Sequence, residues 1–209
     1  MPAAGRPLVG YVIERARRIA NLTELVFATS DRSVDDELAE YVETCGVSLF
    51  RGDAADVAGR ALAAADLYGA EYVLRLNGDS PFPDPVLIGR GIELLADQPD
   101  MVTNLVGRTF PYGVSVEIIA RSALAHAHPQ MSVEEREHVT AYFYRNDSLY
   151  RVASMTSDSP EIAAARMVVD TAEDMGSFRK VVHALGDSAL TADYRKVANC
   201  YLATSSVQG

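Results

Sequence analysis

The chain has 209 residues, 48% of them apolar, a formal charge of −10, two cysteines and no tryptophan. That length suits a single domain with a real core, and the acidic balance argues against a nucleic-acid polymer as partner, because no basic stripe is present to neutralise phosphates. No segment approaches the ~18 consecutive apolar residues of a membrane span, and Met1–Leu8 has no apolar core of a signal peptide, so a cytoplasmic protein with no membrane partner is expected. Cys45 and Cys200 form no metal-type spacing, which points to free thiols in a reducing compartment.

Taken in order, Pro7 to Ala20 reads as an amphipathic helix, with Leu8, Val12, Ala16 and Ile19 on one face and Arg15, Arg17 and Arg18 toward its C-terminal end. Leu25–Thr29 is a buried strand ending in Ser30-Asp31. A helix from about Val34 to Cys45 follows, acidic in its first turn and stopped by Gly46. Val47–Arg51 is a short strand closed by Gly52-Asp53, and the Ala-rich run Ala54–Tyr68 is a helix ended by Gly69. Tyr72–Leu76 is the next strand. It stops at Asn77-Gly78, and Asp79 follows in a loop stiffened by Pro81, Pro83 and Pro85. A helix over about Asp84–Ala96 and a strand over Met101–Asn104 come next. Phe110-Pro-Tyr-Gly113 then leads to the alternating run Val114–Ile119. Helices are expected at Arg121–His126 and Val133–Tyr144, and strands at Tyr150–Met155 and Met167–Val169. The last of these strands opens a helix at Asp170-Thr171, with Glu173 and Asp174 in its first turn. The tail after Ala203 is expected to fray. Strands alternating with helices through short loops predict a parallel, doubly wound α/β sheet.

Asp79 and Asp170 each follow directly on a predicted buried strand. In an open α/β sheet, ligands bind beyond the carboxyl ends of the strands. If the two strands share a sheet, both carboxylates meet on one rim and can hold a hard cation such as Mg²⁺ among phosphate oxygens. The plain alternatives are an Asx turn at Asp79 and a helix N-cap at Asp170. Arg51-Gly52-Asp53 and Asp56…Arg60 form a third strand-end group, whose plain alternative is a turn with solvated charges. His138 and Tyr142, one turn apart, would share a helix face. Glu117 is either an edge residue facing water or a buried hydrogen-bonding group for a substrate. A metal site at His126 and His128 is not expected, since nothing nearby completes a ligand set, and His183 is read as surface.

The ordered set Gly5-Arg6-Pro7-Leu8…Glu14-Arg15, Ala28-Thr29-Ser30-Asp31, Arg51-Gly52…Asp56-Val57, Arg75…Gly78-Asp79-Ser80-Pro81…Asp84-Pro85, Pro111…Gly113…Val116-Glu117, Arg136-Glu137-His138-Val139-Thr140 and Val169-Asp170-Thr171…Glu173-Asp174 resembles the cytidylyltransferases. The nearest look is to the spore-coat polysaccharide biosynthesis type, relatives of the CMP-sugar-acid synthetases. The resemblance covers the chain to about Leu185 and leaves a C-terminal helix and tail. It implies a Rossmann-like nucleotidyltransferase sheet with helices on both faces. The implied reaction is Mg²⁺-dependent transfer of CMP from CTP to a hydroxyl of an acidic sugar or related acceptor, with release of pyrophosphate, in a homodimer. By the same resemblance Asp79 and Asp170 are the catalytic Mg²⁺ ligands. Arg51, Gly52, Asp56, Arg60, Asn77 and Gly78 form the nucleotide rim, and Glu117, His138 and Tyr142 bind the acceptor.

The family begins with a strand and a loop of the form Ala-Arg-x-x-Ser-x-Arg-Leu-Pro-x-Lys that cradles the triphosphate, and Met1 falls just after the place where that loop ends. The first strand, central in the sheet, is therefore expected to be absent from these residues. One lost cation at contact distance removes about 4 kcal/mol at an effective dielectric near 20, close to a thousandfold in rate. Three readings remain open: a chain whose start lies upstream, an impaired member that binds nucleotide or a partner, and a gap that another chain or a ligand fills. A metal-dependent glycosyltransferase fits less well, because Asp79-Ser80-Pro81 lacks the second acid of Asp-x-Asp.

Overall fold

The structure, a computed structural model, describes residues 2–205. In chain order it comprises α1 (Leu8–Ala16), β1 (Val26–Ser30), α2 (Asp36–Thr44), β2 (Ser48–Gly52), α3 (Val57–Tyr68), β3 (Tyr72–Leu74), α4 (Pro85–Glu93), β4 (Met101–Thr103), β5 (Glu117–Ala120), α5 (Arg121–Ala127), α6 (Val133–Glu137), α7 (Ala141–Arg145), β6 (Val152–Ser154), α8 (Ala172–Leu185) and α9 (Tyr194–Ser205). Local chemistry sets most helix boundaries. Asp56 caps α3 through the Gly59 N–H, and Gly69 ends it at φ 63°; Asp84 caps α4 with Pro85 in the first turn. Ser132–Glu135 and Thr171–Asp174 form capping boxes that start α6 and α8.

The strands form two sheets. β1 and β2 pair in parallel, and a four-stranded sheet has the order β3-β5-β4-β6. Here the purely parallel expectation is corrected, because β5 runs antiparallel to both β3 and β4. The chain returns through residues 105–116, so the strand after β4 enters the sheet from the opposite end. Along β4 and β5 the side chains alternate between faces. Val102 and Ile118 face a core built with Tyr11 and Ala16 of α1, Leu87 and Ile88 of α4, and residues of α8 and α9. Met101 and Ile119 face a second core with Ala58 of α3, Leu124 of α5, and Tyr142 and Phe143 of α7. Helices thus cover both faces, in keeping with a Rossmann-like nucleotidyltransferase sheet.

Other expectations change in detail. Val133–Tyr144 is not one helix: His138 leaves helical geometry at φ −102°, ψ 61°, and splits it into α6 and α7. Met167–Val169 is extended but joins neither sheet; it lies along residues 110–114 through Tyr112 N–H to Ala165 O (3.0 Å) and Met167 N–H to Tyr112 O (2.7 Å). The Val114–Ile119 strand shortens to β5, buried at every residue. Thr204 and Ser205 continue α9 rather than fray, and 206–209 lie outside the described residues. Cys45 and Cys200 are free thiols, and among the described residues no helix is long and apolar enough to cross a membrane.

Between β1 and β3 the sheet is interrupted. Helices nevertheless bridge the break on both faces: α1 contributes Tyr11 and Ala16 to one core and Val9 and Ile13 to a third, formed with α2 and Phe27, while on the other face α3 packs against β1, β2 and β3. The strands beside the break are poorly covered. Ala28, in the middle of β1, is exposed, and β3 is half-buried throughout, whereas β4 and β5 are fully buried. Strands flanked by helices on both faces are normally dry. Amides of β1 and β3 are therefore expected to exchange with deuterium through local opening, faster than those of Met101–Thr103. Equal protection along all these strands would contradict the break.

Candidate active site

The turn after β3 carries the first candidate carboxylate. The Ser80 N–H donates to Asn77 O at 3.2 Å, closing the turn, and the Ser80 hydroxyl donates to Asp79 Oδ1 at 2.9 Å. Asp79 itself is exposed. Gly78 has open space where a Cβ would stand, so its smallness leaves the backbone approachable. The loop beyond is fixed from beneath. Arg15 is fully buried, and it donates to Pro83 O (2.9 Å), Ala189 O (3.1 Å) and Ala192 O (2.8 Å). Burial lowers its pKa to about 10, against the opposing pull of Asp84. Asp84, 3% exposed, accepts from Val86 and Leu87 N–H and from the Tyr194 N–H at 2.6 Å. Neither anchor was singled out from the sequence as a site residue.

Asp170 arrives from the far end of the chain. The Val169 N–H donates to Asp79 O at 2.9 Å, so the segment leading to Asp170 lies against the turn that carries Asp79, although the two do not share a parallel sheet. Capping of α8 falls to Thr171 and Asp174: the Asp174 carboxylate accepts from the Asp170 N–H (3.1 Å) and the Thr171 N–H (3.0 Å). The Asp170 side chain is thus spared the N-cap role. It is exposed and hydrogen-bonded to Arg166. Carboxylates are hard oxygen donors of the kind Mg²⁺ takes when substrate phosphates and water complete its shell. Among the described residues no group of three or more His, Cys, Asp or Glu converges as a metal cage.

Glu117, at the start of β5, is 3% exposed, and of its two sequence alternatives the buried one holds. Its carboxylate pairs with Arg75 at 3.2 Å and accepts from the Tyr144 hydroxyl at 3.0 Å. That hydroxyl also meets Thr103 Oγ1 at 2.7 Å. Burial, together with Glu117, pushes the Tyr144 phenol well above its ordinary value, so it remains a proton donor. Arg75, Asn77, Ser80 and Ser115 converge on a small cavity of about 10 Å³, room for one water. A larger open groove of about 710 Å³, bordered by Tyr72, Asp100, Arg121 and Arg151, lies at the opposite end of these strands.

Other sequence candidates have internal work. Arg51 donates to Ser30 O (2.9 Å) and Arg32 O (2.8 Å) and pairs with Asp36 at 2.7 Å. Arg60 donates to Asp53 O at 2.5 Å and Ala54 O at 3.2 Å. A Cβ on Gly52 would stand 3.0 Å from Arg60 Cγ, so this glycine makes room for a side chain. The loop is consequently a self-contained knot. Asp56 caps α3 and also meets His128 Nε2 at 2.8 Å and Arg136 at 3.7 Å. His138 is exposed, but Tyr142 is buried beside Phe143 and Tyr150. With the helix broken between them, the shared His138–Tyr142 face does not exist. Arg166, Tyr112 and Tyr144 were missed; the one signal for Arg166 was its position four residues before Asp170.

The sequence profile of a family described as "Cytidylyltransferase" matches residues 2–198. The spore coat polysaccharide biosynthesis protein SpsF of Bacillus subtilis is 29% identical over 195 residues, covering 89% of this chain and 80% of that protein. The 3-deoxy-manno-octulosonate cytidylyltransferase of Geobacter sulfurreducens is 27% identical over 189 residues, covering 77% of this chain and 74% of its own. Among solved structures, a cytidylyltransferase from Leptospira borgpetersenii superposes with a TM-score of 0.91 at 26% identity, covering 99% of this chain and 87% of that one.

Two outcomes test this geometry. Gly113 has φ 98°, and a Cβ there would lie 2.8 Å from the Met167 carbonyl carbon. Gly113→Ala should lower stability by about 1–3 kcal/mol, read as a lower urea midpoint, by forcing the 110–114 and 165–169 segments apart. Burial pushes Asp56 up, but the Gly59 N–H, His128 and Arg136 outweigh it and hold its carboxyl below its ordinary value. A depressed folded pKa gives stability that is present above the unfolded value, about 3.9, and is lost as pH falls through the folded one. The stability gap between wild type and Asp56→Asn should accordingly be full at pH 7 and close below about pH 4; a gap independent of pH would contradict the assignment.

Proposed function

The chain belongs to the cytidylyltransferase family, and from that premise we propose that it moves CMP from CTP to a hydroxyl of an acidic sugar or related acceptor, with Mg²⁺ held by Asp79 and Asp170. The observation supporting this reading is the Val169–Asp79 backbone hydrogen bond, which holds the segment leading to Asp170 against the turn that carries Asp79, with both acids exposed. The acceptor class comes from relatives named as octulosonate cytidylyltransferases. In the reaction the acceptor oxygen bonds to the α-phosphorus, the bond to the β-phosphate bridging oxygen breaks, and pyrophosphate leaves. The hydroxyl proton passes to solvent.

Such transfers depend mainly on positioning and on neutralising phosphate charge. When bound, Mg²⁺ neutralises phosphate oxygens and makes the attacking hydroxyl more acidic. The protein's own residues supply the rest. The proline-stiffened loop, anchored by Arg15 and Asp84, fixes Asp79. Open space at Gly78 lets the nucleotide approach the backbone, and Asn77 lies on the same turn. Glu117 and Tyr144 hold Arg75 toward the small cavity beside that turn, and exposed His138 remains a candidate for the acceptor.

One observation favours a second reading, a module that binds nucleotide without turning it over. Of the arginines expected at the nucleotide rim, Arg51 bonds to protein oxygens through both arms, and Arg60 does so through one. Incubation with CTP, Mg²⁺ and a panel of sugar acids, followed by a pyrophosphate assay, separates the two readings: transfer predicts release, and binding alone predicts CTP affinity without release. Asp79→Asn should lower turnover by about a hundredfold or more, equivalent to at least about 2.7 kcal/mol of barrier, with an unchanged melting temperature. Near-native turnover in that variant would remove Asp79 from the chemistry.

A further inference from the structure

Arg166 is a cation that already touches Asp170, one of the two proposed ligands. Its segment is pinned on both sides by the Tyr112 hydrogen bonds to Ala165 and Met167, so its Cα is set by backbone pairing. Its guanidinium stacks over the Tyr112 ring at 5.0 Å, donates to Asp170 Oδ2, and lies 3.6 Å from Asp174. Although burial works against the charged form, the two carboxylates raise the Arg166 pKa. Asp174 is occupied by the capping box of α8, but Asp170 has no other side-chain partner among the hydrogen bonds of the described residues. The guanidinium therefore engages one of the two oxygens that Asp170 could offer a divalent ion.

We propose that Arg166 is a resident competing cation: it neutralises Asp170 while no divalent ion is present, and arrival of the ion frees it, still stacked on Tyr112, to meet phosphate oxygens of the substrate. This rests on the reading of Asp79 and Asp170 as the ion's ligands. Competition and charge repulsion have the same sign, since a unit positive charge on the shared carboxylate opposes a second cation both by occupying the oxygen and through its field. An arginine that merely shaped the site would act in the opposite direction, because its loss would loosen Asp170 and weaken the ion. A guanidinium also suits the second half of the cycle, as its planar fork matches phosphate as well as carboxylate.

The test is Mn²⁺ binding to the full chain without nucleotide, followed by electron paramagnetic resonance, for wild type, Arg166→Gln, Arg166→Lys and Asp170→Asn. Because the Arg166–Asp170 pair is half-exposed, its removal should tighten Mn²⁺ by about two- to fivefold in Arg166→Gln. Arg166→Lys, which keeps the charge and loses the fork, should tighten it less. The enhancement of pyrophosphate binding by Mn²⁺ should be larger in wild type than in Arg166→Gln, because only wild type has a guanidinium to release. Unchanged or weaker Mn²⁺ binding in Arg166→Gln, with Asp170→Asn still losing the ion, would overturn the role of Arg166 and leave the carboxylate reading intact. If Asp170→Asn binds Mn²⁺ like wild type, the carboxylate reading falls and the competing-cation role falls with it.

Discussion

A single backbone hydrogen bond, from the Val169 N–H to Asp79 O at 2.9 Å, is the constraint on which the proposed site depends. It joins a turn near the middle of the chain to the segment that leads into α8. Everything around it protects that register. Gly113, at φ 98°, lets residues 110–114 lie against 165–169. Thr171 and Asp174 take over the helix cap so that Asp170 need not. Arg15 and Asp84, almost wholly buried, tie the proline loop to α1 and to the start of α9. A buried arginine bonded to three carbonyl oxygens is costly to desolvate and destabilising to truncate, so this anchor suits a place where loop geometry matters more than net stability.

The sheet gives a different kind of constraint. In the four-stranded sheet β3-β5-β4-β6, β4 and β5 form the dry centre between two apolar cores, whereas β1 and β2 stand as a separate parallel pair held by α1 on one face and α3 on the other. The helices continue across the break although the backbone hydrogen bonding does not. Packing alone therefore fixes the β1–β2 unit relative to the carboxylates. That unit carries the Arg51 and Arg60 knot, whose cations face inward to loop carbonyls.

Much of this was legible in the sequence because it depends on local rules. Apolar runs ending in Ser30-Asp31, Gly52-Asp53 and Asn77-Gly78-Asp79 marked strands and their rims, and Gly46, Gly69 and Pro85 marked helix ends. Glu117 stood out because an acid between apolar neighbours needs a partner, and Arg75 and Tyr144 supply it. What stayed hidden depends on contacts distant in sequence. The antiparallel run of β5 follows from where the 105–116 connection re-enters the sheet, and alternation along a strand does not state its direction. Helical periodicity over 133–144 hid the break at His138, where a strong capping box begins one helix and a second starts a few residues on. Tyr142 then belongs to the core and Tyr144 to the site, a difference that a two-residue spacing cannot reveal. Arg15 looked like a helix-end charge, and only the fold shows that it is buried.

The account is tested most directly by a double-mutant cycle on Mn²⁺ affinity across Asp79→Asn and Asp170→Asn. If the two side chains share one ion, each single substitution removes most of the binding and the double variant is little worse than either, giving a large coupling between residues far apart in sequence. Additive losses, or affinity unchanged by one of the substitutions, would mean that the carboxylates do not meet on a common cation, and the site as described would not exist.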